Sequence, residues 1–81
     1  MRLEAEFTSE PFEGEGDPPA HATQALEVAL GAGLECDFGP LGTSVSGDSG
    51  ALLGALPQIL RTAFEQGATR ITVQVERGGN G

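Results

Sequence analysis

The chain has no lysine, no tryptophan and no tyrosine, and it has one cysteine and one histidine. Each shortage narrows what it can be. Four arginines stand against twelve acidic residues, for a net charge of −8. Nucleic acid and anionic membrane surfaces are therefore repelled as partners. A cationic ligand is attracted, and the same charge keeps a protein soluble. A single cysteine excludes an intrachain disulfide. No run approaches the roughly 20 apolar residues of a membrane span. The opening MRLEAEF has no apolar core of the length a secretory signal needs. The expected location is the cytoplasm.

With 81 residues, the chain reads as one domain over 1–81, with 78–81 as a flexible tail. A domain of this size buries only about 60% of its unfolded surface and is marginal alone, so oligomerisation is a natural supplement. Leu, Val, Ile and Ala must build the core around four Phe residues.

Arg2 to Thr8 alternates strictly, with Leu3, Ala5 and Phe7 on one side, and predicts a half-buried strand. An acidic Gly/Pro loop follows. Pro19 suits the first turn of a helix. From Ala20, apolar residues at Ala22, Ala25, Leu26, Ala29 and Leu30 form a helical stripe, which Gly31 and Gly33 end. Leu34, Cys36 and Phe38 alternate with acids in a second strand. Gly39-Pro40-Leu41-Gly42 matches a type I turn, with Gly42 expected in the left-handed region as a bulge residue. Thr43 to Ser46 returns as a third strand. Asp48 or Ser49 then caps a second helix. Its stripe is Leu52, Leu56, Ile59, Leu60, Ala63 and Phe64. Pro57 should kink that helix or delay its regular part. Gly67 ends it, Arg70 to Arg77 is a fourth strand, and RGGNG reads as a frayed tail.

The order β-α-β-β-α-β predicts an α+β ferredoxin-like sandwich, a four-stranded antiparallel sheet with both helices on one face. The other face then carries Arg2, Glu4, Glu6, Thr8, Glu35, Asp37, Ser44, Ser46, Thr72, Gln74 and Glu76. That open face is a docking place for another subunit.

Catalytic patterns fail one by one. DFG at Asp37–Gly39 has no kinase context around it. GPLGT lacks the Gly-Lys-Ser/Thr ending of a phosphate loop. The open face has no aromatic for stacking RNA bases. The loop after the first strand has no arginine for an acylphosphatase-like reaction. Glu10, Glu13, Glu15 and Asp17 match no calcium loop and read as a solvated loop. His21 is expected at the surface, and Cys36 as a small core residue. No base, nucleophile or metal set assembles, so the chain is not expected to be an enzyme. Thr43, Ser44 and Ser46 remain: one reading is that they only satisfy cross-strand bonds, and the functional reading is that Thr43, directly after the turn, points into a pocket at one end of the sheet. Residues Phe7 to Glu10 line the same pocket, and Phe12 and Phe38 cover it.

Three places carry a family resemblance. They are the first strand running into an EP turn (Phe7 to Phe12), the Gly-Pro-hydrophobic-Gly-Thr hairpin (Gly39 to Gly47), and the Gly-Ala-x-Arg entry to the last strand (Gly67 to Ile71). Nearly end to end, the chain resembles the small thiamine-binding family of ferredoxin-like proteins, the MTH1187/YkoF type. The resemblance implies a non-enzymatic binder of thiamine or its hydroxymethylpyrimidine part, assembled as a homodimer or homotetramer through sheet faces, with no cofactor. Thr8, Ser9, Glu10 and Thr43 would supply polar contacts, Phe12 and Phe38 the wall. Ser46 stands where the family usually has Glu, so that position's role is weakened or shifted here, and Asp48 is a poor substitute beyond the strand. The alternative is a structural or regulatory subunit that uses its open sheet face and binds no small molecule.

Overall fold

The computed structural model describes residues 1–11, 17–39 and 42–78. Its elements are β1 (Arg2–Glu10), α1 (Ala20–Gly31), β2 (Glu35–Gly39), β3 (Gly42–Asp48), α2 (Ser49–Glu65) and β4 (Arg70–Arg77). The strands form one antiparallel sheet in the order β2-β3-β1-β4. This is the ferredoxin-like arrangement expected from the element order. Among the described residues, no helix is long and apolar enough to cross a membrane.

The alternation of β1 sorts its side chains by face. Leu3, Ala5 and Phe7 are buried, while Arg2, Glu4 and Glu6 stay in solvent. The buried side joins Leu34 and Val45 with Ala25, Ala29, Leu52, Ile59 and Ala63 from the two helices. The alanines matter at this contact, because a methyl group lets helix backbones approach closely. Leu52 and Ile59 then fill the remaining space, each contributing about 1.5–3 kcal/mol by burial.

Both helices stop in the same way. After the C-cap Ala32, Gly33 adopts φ +82°, and the Leu34 N–H donates to the Ala29 carbonyl at 3.2 Å. After Gln66, Gly67 adopts φ +111°, and the Ala68 N–H donates to the Ala63 carbonyl at 3.0 Å. Only glycine takes such a φ without a Cβ penalty. Leu34 and Ala68 are buried as a result, so each turn pins its helix to the strand that follows.

Several expectations need correction. Gly42 is not a left-handed bulge residue: among the described residues only Gly33 and Gly67 have positive φ. β2 and β3 pair in regular register as far as Gly39 opposite Gly42. Only Pro40 and Leu41, which lie outside the described residues, stand between them. β3 also continues past Ser46 to Asp48, which pairs opposite Arg2. Asp48 is at once the last strand residue and the helix cap, its carboxylate accepting the Gly50 N–H at 3.0 Å.

Pro57 does not delay α2, which is helical from Ser49. It cannot donate to the Leu53 carbonyl, but both residues are exposed, so water can serve that oxygen. Leu30 and Phe64 are 54% and 51% exposed rather than part of the core. Phe64 lies one residue beyond buried Ala63, about 100° around the helix axis. Pro19 is the N-cap residue of α1, one position before the first turn. The tail begins later than expected, since Gly78 is buried and its N–H donates to the Arg2 carbonyl at 2.9 Å. Residues 79–81 lie outside the described residues.

Candidate functional site

At the end of the sheet where β2 turns into β3, Thr8, Ser9, Phe38 and Thr43 converge with Ala22 and Gly42 around a hollow of about 20 Å³. That is room for one water-sized group. The register explains the meeting. Phe7 of β1 lies opposite Thr43, and Thr43 lies opposite Phe38. Gly42 keeps the strands close: a Cβ there would stand 2.8 Å from Thr8 Oγ1 and 3.0 Å from the Phe7 carbonyl oxygen. Thr43 itself is 3% exposed.

Ser9 brings a partner that sequence reasoning missed. His21 is not on the surface; it is 4% exposed. Its Nδ1 lies 2.6 Å from Ser9 Oγ and its Nε2 lies 2.9 Å from the Pro11 carbonyl oxygen. The signal was present as spacing. His21, Ala25 and Ala29 recur every four residues and so share the buried face of α1. What the spacing could not supply is the hydroxyl and carbonyl from the end of β1 that make burial of an imidazole tolerable.

Of the remaining expected site residues, Glu10 and Ser46 are placed apart from the hollow. Glu10 is exposed at the end of β1, where its carbonyl accepts from the Thr69 N–H at 2.7 Å and from Thr69 Oγ1 at 3.3 Å. Phe12, like Glu13 and Glu15, lies outside the described residues. Ser46 lies three residues from Thr43 on β3 and on the opposite face, because side chains alternate. There Arg2 Nη2 donates to Ser46 Oγ at 2.9 Å and pairs with Glu35 Oε2 at 2.7 Å.

That opposite face holds a second, broader concavity of about 420 Å³. Cross-strand register arranges it in two rows. One is Glu35, Ser46, Glu4 and Glu76; the other is Asp37, Ser44, Glu6 and Gln74. Arg2 is paired with Glu35, while Glu4, Glu6, Asp37 and Glu76 have no salt-bridge partner among the described residues. No three of the described His, Cys, Asp or Glu side chains are grouped to hold a metal ion. Cys36 is partly buried against the core, its thiol donating to the Leu34 carbonyl at 3.6 Å. Burial pushes that thiol's pKa up.

No family model and no curated protein matches this sequence. Solved structures do match the fold. A domain of unknown function, DUF77, from Bacillus cereus superposes with a TM-score of 0.67 at 18% identity, covering 98% of this chain and 76% of that one. A hypothetical protein of Methanocaldococcus jannascii gives 0.69 at 21% identity, covering 99% of this chain and 81% of that one. A Thermotoga maritima protein provisionally assigned to thiamine biosynthesis or salvage gives 0.66 at 21% identity, covering 94% of this chain and 81% of that one. These likenesses support the resemblance read from the sequence at the level of the fold. The chain has the ferredoxin-like βαββαβ fold of these structures over nearly its whole length.

Proposed function

We propose that the chain is a non-enzymatic small-molecule binding protein for thiamine or its hydroxymethylpyrimidine part, working as a homodimer or homotetramer assembled through its sheet faces. The observation that carries this reading is the convergence of Thr8, Ser9, Thr43 and Phe38 on one hollow. The hydroxyls of Ser9 and Thr43, on the same face of the sheet, and the Phe38 ring are groups that orient a small polar heterocycle. The net charge of −8 favours a cation such as the thiazolium of thiamine. The Thermotoga relative in fold has a provisional thiamine role, which agrees.

Isothermal titration with thiamine and with hydroxymethylpyrimidine tests the proposal. Saturable heat with at least one is expected. Silence from both at tens of micromolar protein, on the order of the Kd a modest binder would show, overturns it. Light scattering tests the assembly, and a monomer at the same concentration removes that part.

A second reading is a structural or regulatory subunit whose working surface is the open sheet face. The broad acidic concavity favours it. Under this reading, titrations with both compounds are silent and Glu-to-Gln changes at Glu4 and Glu6 alter assembly.

A further inference from the structure

The hydrogen bonds around His21 have a direction, and the direction reaches the hollow. The Pro11 carbonyl can only accept, so Nε2, 2.9 Å away, must carry a proton. In the neutral imidazole the other nitrogen, Nδ1, is then an acceptor. While the imidazole is neutral, Ser9 Oγ, 2.6 Å from Nδ1, donates its hydroxyl hydrogen to His21. Its proton committed, Ser9 Oγ has only lone pairs to offer elsewhere. Ser9 lines the hollow, which has room for one water-sized group.

We infer that the Pro11–His21–Ser9 chain sets Ser9 as an acceptor toward the hollow, and that the hollow is a socket for a single N–H donor of a ligand, an amino group on a small heterocycle. The size and the polarity agree. An amino group is about as large as a water, so the ring that bears it stays outside. A methyl group fits the volume but leaves the Ser9 lone pairs unsatisfied. A carbonyl oxygen presents acceptor to acceptor. Such mismatches in a desolvated site are discriminated more strongly than a difference in size. His21 is a positioning residue in this scheme. It does not touch the ligand; it turns the hydroxyl that does.

The inference rests on the small-molecule reading above, and it extends that reading from a compound to one bond. Two measurements on the full chain decide it. The first is the ¹⁵N spectrum of the His21 imidazole, expected to show Nε2–H with an unprotonated Nδ1. The second is titration with hydroxymethylpyrimidine and with its analogue carrying methyl in place of the ring amino group. The amino compound is expected to bind at least about tenfold more tightly, the scale of one hydrogen bond lost in a dry site. Ser9→Ala should shrink that preference to under about threefold by the same argument; if that variant does not fold, the wild-type pair and the spectrum still decide. An Nδ1–H tautomer, or equal affinity for the two compounds, overturns the inference and leaves the binding function standing. Silence from both compounds overturns the function and the socket with it.

Discussion

Gly42 and Thr8 are neighbours across β3 and β1, so close that a Cβ on Gly42 would stand 2.8 Å from the threonine Oγ1. The same Cβ would meet the Phe7 carbonyl oxygen at 3.0 Å, and a backbone atom cannot rotate away. Gly42→Ala must therefore separate the strands at the hollow. A loss of about 1–3 kcal/mol is expected, typical of overpacking. Gly54→Ala is the control. Nothing lies within 4 Å of a Cβ there, the residue is exposed inside α2, and alanine should add about 0.5–1 kcal/mol. Urea unfolding of the two variants should move in opposite directions. Equal shifts would show that close approach is not what requires glycine at position 42.

Glu4 and Glu76 lie directly opposite each other on β1 and β4. Like charges in that relation destabilise a sheet by up to about 1 kcal/mol. Glu76→Lys should replace repulsion by attraction and raise Tm by a few degrees in low salt. The gain should shrink at about 1 M salt, where the screening length falls to about 3 Å. A gain unchanged by salt would point to packing instead.

Thr43→Val keeps shape and removes the hydroxyl. If Thr43 contacts ligand, as the proposed function requires, affinity should fall roughly tenfold while the thermal melt moves little, since one hydrogen bond is about 1 kcal/mol. Unchanged affinity would place the polar contacts on Thr8 and Ser9 alone.

Cys36 should be slow to alkylate at neutral pH. Burial raises its pKa above the ordinary 9.0, and only the thiolate is a nucleophile. Iodoacetamide at pH 7.5 should modify it several-fold more slowly than a cysteine in an unstructured peptide. The sign for stability follows from linkage. The folded state resists ionising the thiol, so its contribution is complete below the unfolded pKa and is lost as pH rises through the folded one. Cys36→Ser should remove that alkaline slope, and a slope that survives would belong to another group.

The strands, their faces and the element order were legible because they depend on local periodicity. β1 alternates every residue and buries every second one; the eleven residues expected on the open face are exposed or only partly buried. The glycine stops at Gly33 and Gly67 were legible for a similar reason, since a positive φ is a property of one residue. Gly42 shows where such reasoning fails. Its composition matched a bulged turn, but its need for glycine comes from Thr8 and Phe7, over thirty positions away in the chain. The stripe of α1 was read from Ala22 onward, one residue too late to include His21.

The sequence by itself determined the architecture, the acidic field and the exclusion of a disulfide within these 81 residues, because periodicity, charge and cysteine count need no knowledge of neighbours. Only the tertiary structure decided what β3 presents. It set Thr43 toward the hollow and Ser46 toward Arg2 on the other face. It also placed a buried histidine beside Ser9. The physical reason is the same in each case. A hydrogen bond or a steric contact belongs to a pair of atoms, and these pairs exist only once β1 lies against β3 and α1 closes over the sheet.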